Sequence, residues 1–214
     1  MAALKLVIFD CDGVMFDSKS ANRVYYDHML EKFGHPPMDA EELEYVHMHH
    51  VMDSVRHIFR KYPNDLDAAE TFRKGLDYTP FLQHMIMEPD LPEFLDFLRP
   101  GYKTAISTNR TSTMRAVLEI FRLDDLFDKV VTAFDVAHPK PHPEALHQIL
   151  THFGFTVDEA VYIGDSQVDR EHTAALGMRL IAFKNPALPA EYHVSSFMEI
   201  TRLPILAEVG KGGK

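Results

Sequence analysis

Short, near-continuous apolar runs recur along this chain: LKLVIF (4–9), KTAIS (103–107), KVVTAF (129–134), AVYIG (160–164) and RLIAF (179–183). Successive side chains of a strand point to opposite faces, so a run that is apolar throughout suits a strand covered on both sides. Between the runs lie stretches of helical spacing at 111–122, 143–153 and 166–176, with Gly177 placed to stop the last. Strands alternating with helices predict an α/β fold, a doubly wound parallel sheet with crossover helices.

Residues 18–88 interrupt that alternation. They carry amphipathic stretches at 18–33, 39–61 and 65–87, separated by FGHPPM and KYPND, with no strand pattern. The expected organisation is an α/β core from 1–17 and 89–214 with a helical insertion at 18–88. The closing GKGGK has neither strand nor helix context and is expected to fray.

A chain of 214 residues can bury a substantial core without disulfides, and Cys11 is its only cysteine. The apolar runs fall far short of the roughly 20 residues needed to span a bilayer. The N-terminal MAALKLVIFD lacks the basic and long apolar regions of a signal peptide. A cytoplasmic protein with no membrane partner is expected. The net charge of −10 argues against a nucleic-acid partner, which needs a basic face. An anionic substrate would need the local field reversed, and a divalent cation is the natural means. Nothing in the sequence reads out the oligomeric state.

Open α/β sheets bind ligands at the carboxyl ends of their strands. The first run ends in Asp10-Cys11-Asp12-Gly13 and the second in Ser107-Thr108-Asn109. Lys140 follows the third within HPKPHPE, and the fourth ends in Gly164-Asp165-Ser166, with Asp169 beyond. Carboxylates gathered at one edge repel each other, by about 1 kcal/mol per pair at 4 Å in water and about 4 at an effective dielectric near 20. A bound Mg²⁺ offsets this and leaves coordination positions for water and a phosphate.

The string LVIFDCDGVMFDS resembles the first motif of the haloacid dehalogenase-like hydrolase superfamily. AISTNR is similar to its second motif, HPKPHPEAL to its lysine motif, and VYIGDSQVDREHTAALGM to its fourth. The resemblance runs from residue 4 to about 183 and implies a Rossmann-like core. By it, Asp10 would attack phosphorus to form an aspartyl-phosphate, and Asp12 would protonate the leaving oxygen and then deprotonate water. Asp10 and Asp165 would hold Mg²⁺ through carboxylates, with Asp12 adding its backbone carbonyl. Asp169 would be a direct ligand or an orienting group behind one. Thr108 and the amides near Asn109 would bind the phosphoryl group, with Lys140 balancing its charge.

Dehalogenases of the superfamily it resembles lack an acid two residues after the nucleophile, since halide needs no proton to leave, so with Asp12 in that place the resemblance disfavours dehalogenation. The resemblance thus implies a phosphatase acting on a small phosphorylated metabolite, such as phosphoglycolate or a sugar phosphate. The insertion resembles the helical cap of the phosphoglycolate phosphatase and β-phosphoglucomutase branch. It departs from that branch at His47, where glycine is common. A sugar phosphomutase is the alternative, and a non-catalytic binding module a third reading. His47, His49 and His50 are candidates for a phosphate or metal contact as well as for an ordinary solvated helix face. His57 lies too far along a single helix to join His47. Cys11 is expected to be a buried structural thiol.

Overall fold

The structure, a computed structural model, describes residues 2–49 and 51–207, without the side chains of Met48 and Ala207. His50 and the GKGGK tail lie outside the described residues. The chain divides into two compact units. One takes the chain up to Phe16 and again from Met87 onward; the other is Asp17–Ile86.

The strands are β1 (Leu6–Phe9), β2 (Phe16–Asp17), β3 (Ile86–Met87), β4 (Lys103–Ser107), β5 (Lys129–Val131), β6 (Ala160–Gly164), β7 (Arg179–Phe183) and β8 (Tyr192–Val194). Six of them form one sheet in the order β5-β4-β1-β6-β7-β8, with neighbours parallel. Successive strands are added outward from β1, first on one side and then on the other. The order therefore reverses between β1 and β6, and a crevice opens there at the strands' carboxyl ends.

In Asp17–Ile86 the helices are α1 (Lys19–Lys32), α2 (Ala40–Met48), α3 (Val51–Ile58) and α4 (Leu66–Gly75). They enclose their own core, in which Tyr25, Met29, Val55 and Phe59 are buried. A single helix over 39–61 is not formed. It breaks at His49, whose backbone is extended at φ −119°, ψ 159°. The expected helix over 65–87 is also cut short. It stops at Gly75, a 3-10 turn spans Thr79–His84 around Pro80, and Ile86–Met87 is a strand.

The other helices are α5 (Leu91–Leu98), α6 (Met114–Phe121), α7 (Glu144–Phe153), α8 (Gln167–Ala174), α9 (Phe197–Ile200) and α10 (Pro204–Ala207). They cover both faces of the sheet, which is why β1 is apolar at every position. Leu6 and Ile8 enter a core with Tyr162, Leu180 and, from α7, Leu146 and Ile149. Phe9 points the opposite way, its ring centroid 6.0 Å from that of Phe94 on α5, 5.6 Å from Phe127 and 5.9 Å from Phe197 on α9.

Two expected elements are shorter than the pattern suggests. The run 129–134 pairs only to Val131, because the N–H and hydroxyl of Thr132 both donate to Asp135 Oδ2, at 2.8 and 2.6 Å, and curl the chain away. The helical stretch 111–122 begins at Met114, leaving 111–113 in the turn after β4. The elements β8, α5, α9 and α10 have no counterpart in the sequence reading; β8, α9 and α10 are too short to set up a period, at three, four and four residues, whereas α5 is as long as α6.

The aromatic cluster around Phe9 anchors one face of the sheet. Phe9→Ala is expected to destabilise the protein by about 3–5 kcal/mol, the range for emptying a well-packed aromatic site. Urea unfolding measures it, and a loss below about 1 kcal/mol would mean the cluster collapses freely.

Candidate active site

The ladder between β1 and β6 continues one residue past the strand end. The Asp10 N–H donates to the Ile163 carbonyl at 2.9 Å, which fixes the Asp10 backbone beside β6, the innermost strand of the other half-sheet. Asp165 follows β6 directly, and Asp169 lies in the first turn of α8. The two strand-end acids therefore flank the crevice. Carboxylate oxygens of Asp10, Asp165 and Asp169 all lie within 4.8 Å of one another.

Lys140 reaches into this group from the loop before α7. Its Nζ lies 2.8 Å from Asp10 Oδ1, 2.8 Å from Asp169 Oδ1 and 3.0 Å from the Tyr162 hydroxyl. Those contacts account for all three ammonium hydrogens. Tyr162 in turn donates to the Ser107 carbonyl at 2.9 Å. Asp169 is engaged at both oxygens. Oδ1 takes Lys140, while Oδ2 accepts from the Ser166 hydroxyl at 2.7 Å and from the Asp165 and Ser166 amides at 3.2 Å each. Asp169 is thus also half of the capping box that starts α8.

Close packing of these acids requires glycine at two positions. A Cβ on Gly164 would stand 2.6 Å from Asp169 Cβ, and one on Gly13 would stand 2.1 Å from Asp165 Oδ2. Gly13 also has φ +78°, a region that L side chains rarely occupy.

Electrostatically the cluster is short of positive charge. Burial pushes the Asp10 carboxyl up to about 8, with the Asp169 charge adding to the rise and Lys140 opposing it. Burial first, and Asp169 second, push Asp165 up to about 7. Burial would raise Asp169 too, but Lys140 outweighs it and holds that carboxyl below its ordinary value. Burial alone would lower Lys140; Asp10 and Asp169 outweigh it and keep the ammonium charged.

Asp12 sits in a second polar group beside the first. Arg110 grips it with two hydrogen bonds, Nε to Oδ2 at 2.7 Å and Nη2 to Oδ1 at 2.5 Å. The Arg110 N–H donates to Thr108 Oγ1 at 3.1 Å, so this group and the end of β4 are tied together. The Asn109 side chain donates to the Lys140 carbonyl at 3.0 Å, which makes it a brace for the lysine loop. A second brace is His172. Its Nδ1 lies 2.8 Å from the His142 carbonyl and its Nε2 3.1 Å from Ser107 Oγ. A carbonyl only accepts, so the proton is on Nδ1. Burial, then the Lys140 charge, push His172 down to about 4, which keeps it neutral.

Arg110, Tyr162 and His172 were not singled out from the sequence. Arg110 directly follows Thr108-Asn109, and a hydroxyl inside the apolar run AVYIG requires a buried partner. Those are the available signals. His172 had none. Cys11 is fully buried, and burial pushes its thiol up, as suits an inert structural cysteine.

Within Asp17–Ile86, His47 is exposed. The Tyr45 ring is stacked between His49, at 3.8 Å and 1°, and His57, at 3.6 Å and 7°. His57 thus meets His49 through Tyr45 because the helix breaks at His49.

The comparisons agree with this geometry. Residues 7–183 match the haloacid dehalogenase-like hydrolase family. A phosphoglycolate phosphatase of Aliivibrio fischeri is 30% identical over 195 residues, covering 84% of this chain and 83% of that one. The pyrophosphatase PpaX of Bacillus pumilus is 26% identical over 175 residues, or 78% and 77% of the two chains. The crystal structure of a subfamily IA HAD-superfamily hydrolase from Geobacter sulfurreducens PCA superposes with a TM-score of 0.87 at 39% identity, covering 93% of this chain and 95% of that one. With the doubly wound sheet and the acids at its crevice already in view, the chain belongs to the haloacid dehalogenase-like hydrolase family and is an enzyme of its phosphatase-like group.

Proposed function

We propose that this hydrolase is a magnesium-dependent phosphomonoesterase acting on a small phosphorylated metabolite through an aspartyl-phosphate at Asp10. The observation that carries the reading is the convergence of Asp10 and Asp165 at the crevice, with the Lys140 ammonium 2.8 Å from Asp10. The phosphoglycolate phosphatase relative supports a small phosphate ester as substrate.

The donor set fits a hard dication. Asp10 and Asp165 offer carboxylate oxygens, which Mg²⁺ prefers, and their raised proton affinities mark a site that favours added positive charge. Asp169, engaged at both oxygens, fits better as the group that orients Lys140 and α8 than as a ligand. A Mg²⁺ held by Asp10, Asp165 and the Asp12 carbonyl would supply charge opposite the phosphoryl oxygens.

The chain's own groups account for the remainder. An Asp10 oxygen attacks phosphorus, and the bond to the leaving oxygen breaks, its electron pair departing with that oxygen. Asp12 gives the leaving oxygen a proton. Asp12 then accepts a proton from the water that attacks the aspartyl-phosphate, releasing phosphate and restoring the Asp10 carboxylate. Arg110 holds the Asp12 carboxyl in orientation, and the pair must loosen at the proton transfer because both oxygens are engaged. Lys140 fixes the rotamer of Asp10 and keeps a cation beside the incoming phosphoryl group. The helical unit Asp17–Ile86, inserted five residues after Asp12, is proposed as the cap that selects among substrates.

Three outcomes test this reading. With Mg²⁺, Asp10→Asn is expected to abolish phosphate release from p-nitrophenyl phosphate and from a panel holding phosphoglycolate, sugar phosphates and pyrophosphate. Undiminished turnover would refute the covalent step. Turnover that needs a sugar bisphosphate and frees little phosphate would assign a phosphomutase instead.

For Asp12→Asn, single-turnover release of a simple alkyl alcohol should fall by roughly 10²–10⁴-fold, the usual worth of a general acid. Release of p-nitrophenol, a far better leaving group, should fall much less. Equal losses would remove Asp12 as the acid.

The third outcome concerns protons. Asp165 has an ordinary value of 3.8 and is raised to about 7, so between those limits the folded chain holds a proton that the unfolded chain releases. Its contribution to stability is therefore present below the lower value and lost as pH rises through the upper one. In EDTA, Asp165→Asn should be more stable than the parent at pH 8, on the order of a few kcal/mol, and nearly equal to it at pH 4. Mg²⁺ should stabilise the parent most at pH 8 and the variant little. Denaturant melts at both pH values decide it; an Asn variant less stable at pH 8 in EDTA would overturn the assignment.

A further inference from the structure

The loop that delivers Lys140 inward has an outer face with a different chemistry. In His138-Pro139-Lys140-Pro141-His142-Pro143-Glu144, prolines alternate with functional side chains. Lys140 is buried while both histidines are exposed. His138, His142 and Glu144 each offer a donor atom, all within 4.8 Å of one another. His138 Nδ1 lies 3.1 Å and His142 Nδ1 3.9 Å from the same oxygen, Glu144 Oε2. The two imidazole centroids are 4.7 Å apart.

We propose that His138, His142 and Glu144 form a binding site for a borderline transition-metal dication of the zinc or nickel type, separate from the acidic cluster at Asp10 and Asp165. Tetrahedral zinc holds its ligands at about 2.0–2.1 Å, which places neighbouring donor atoms about 3.3 Å apart. The two nitrogen–oxygen separations bracket that edge. Two imidazoles with one carboxylate favour zinc, nickel or copper over magnesium, which prefers an all-oxygen shell. A fourth position is left for water.

The site is held ready before any ion arrives. Glu144 accepts from the Ala137 amide at 2.8 Å and the His138 amide at 3.1 Å, so its carboxylate is fixed across the loop. Those amide bonds and the His138 ring hold it ionised, below the ordinary carboxylate range. Three prolines restrict the backbone, which reduces the entropy lost on binding. From inside, Asn109 and His172 grip the carbonyls of Lys140 and His142. An ion on the outer face would clamp the same loop from the other side.

The test uses the full-length protein with excess Mg²⁺, so that the acidic cluster does not compete for the probe. Zn²⁺ is titrated against a chelating dye, with parent, His138→Ala and His142→Ala compared. The expected result is one Zn²⁺ per chain, bound at least about tenfold more weakly in either variant, since even outer-shell changes cost 10–100-fold. Metal-free melts of the exposed-site variants should match the parent, which checks folding. X-ray absorption of the zinc-loaded parent should count two imidazole nitrogens. No zinc held under excess Mg²⁺, equal affinity in parent and variants, or a shell without imidazole would each overturn the site.

Discussion

The Lys140 ammonium, buried among Asp10, Asp169 and Tyr162, is the interaction on which the rest of this structure turns. One cation faces three converging carboxylates. Removing one partner of such a buried group leaves an uncompensated charge, which commonly costs about 3–5 kcal/mol. The arrangement therefore has to be braced, and the braces are legible one by one. Asn109 and His172 fix the loop at its carbonyls, Tyr162 occupies the third ammonium hydrogen, and the α8 capping box sets Asp169.

The imbalance of charge connects folding to chemistry. Asp10 at about 8 and Asp165 at about 7 are acids held where solvation does not favour their ionised forms. A fold optimised only for stability would replace them with neutral groups. Retaining them makes the crevice a place where added positive charge is favourable. The parallel sheet makes this possible, because strand ends of β1 and β6 bring two acids from distant parts of the chain to one edge.

The same loop serves two environments. Lys140 is directed inward, held by Asp10 and Asp169, while His138 and His142 face out, because the loop bends between them and does not run as an extended strand. In Asp17–Ile86, His49 and His57 instead stack on the Tyr45 ring, a packing role.

What the sequence determined by itself was local in origin. Apolar runs specified strands covered on both faces, and the order of elements specified a parallel sheet. A buried strand must end in something polar, so Asp10, Thr108 and Asp165 could be read as one group at a sheet edge. The partnerships were decided only by tertiary structure. The Arg110 grip on Asp12 joins residues 98 apart, and the His172 link to Ser107 joins residues 65 apart. No periodicity records such pairs, because they arise from how strands and loops stack in space. The helix break at His49 and the early end of β5 at Thr132 are likewise backbone competitions, settled by side-chain hydrogen bonds and packing that a hydrophobic pattern does not carry.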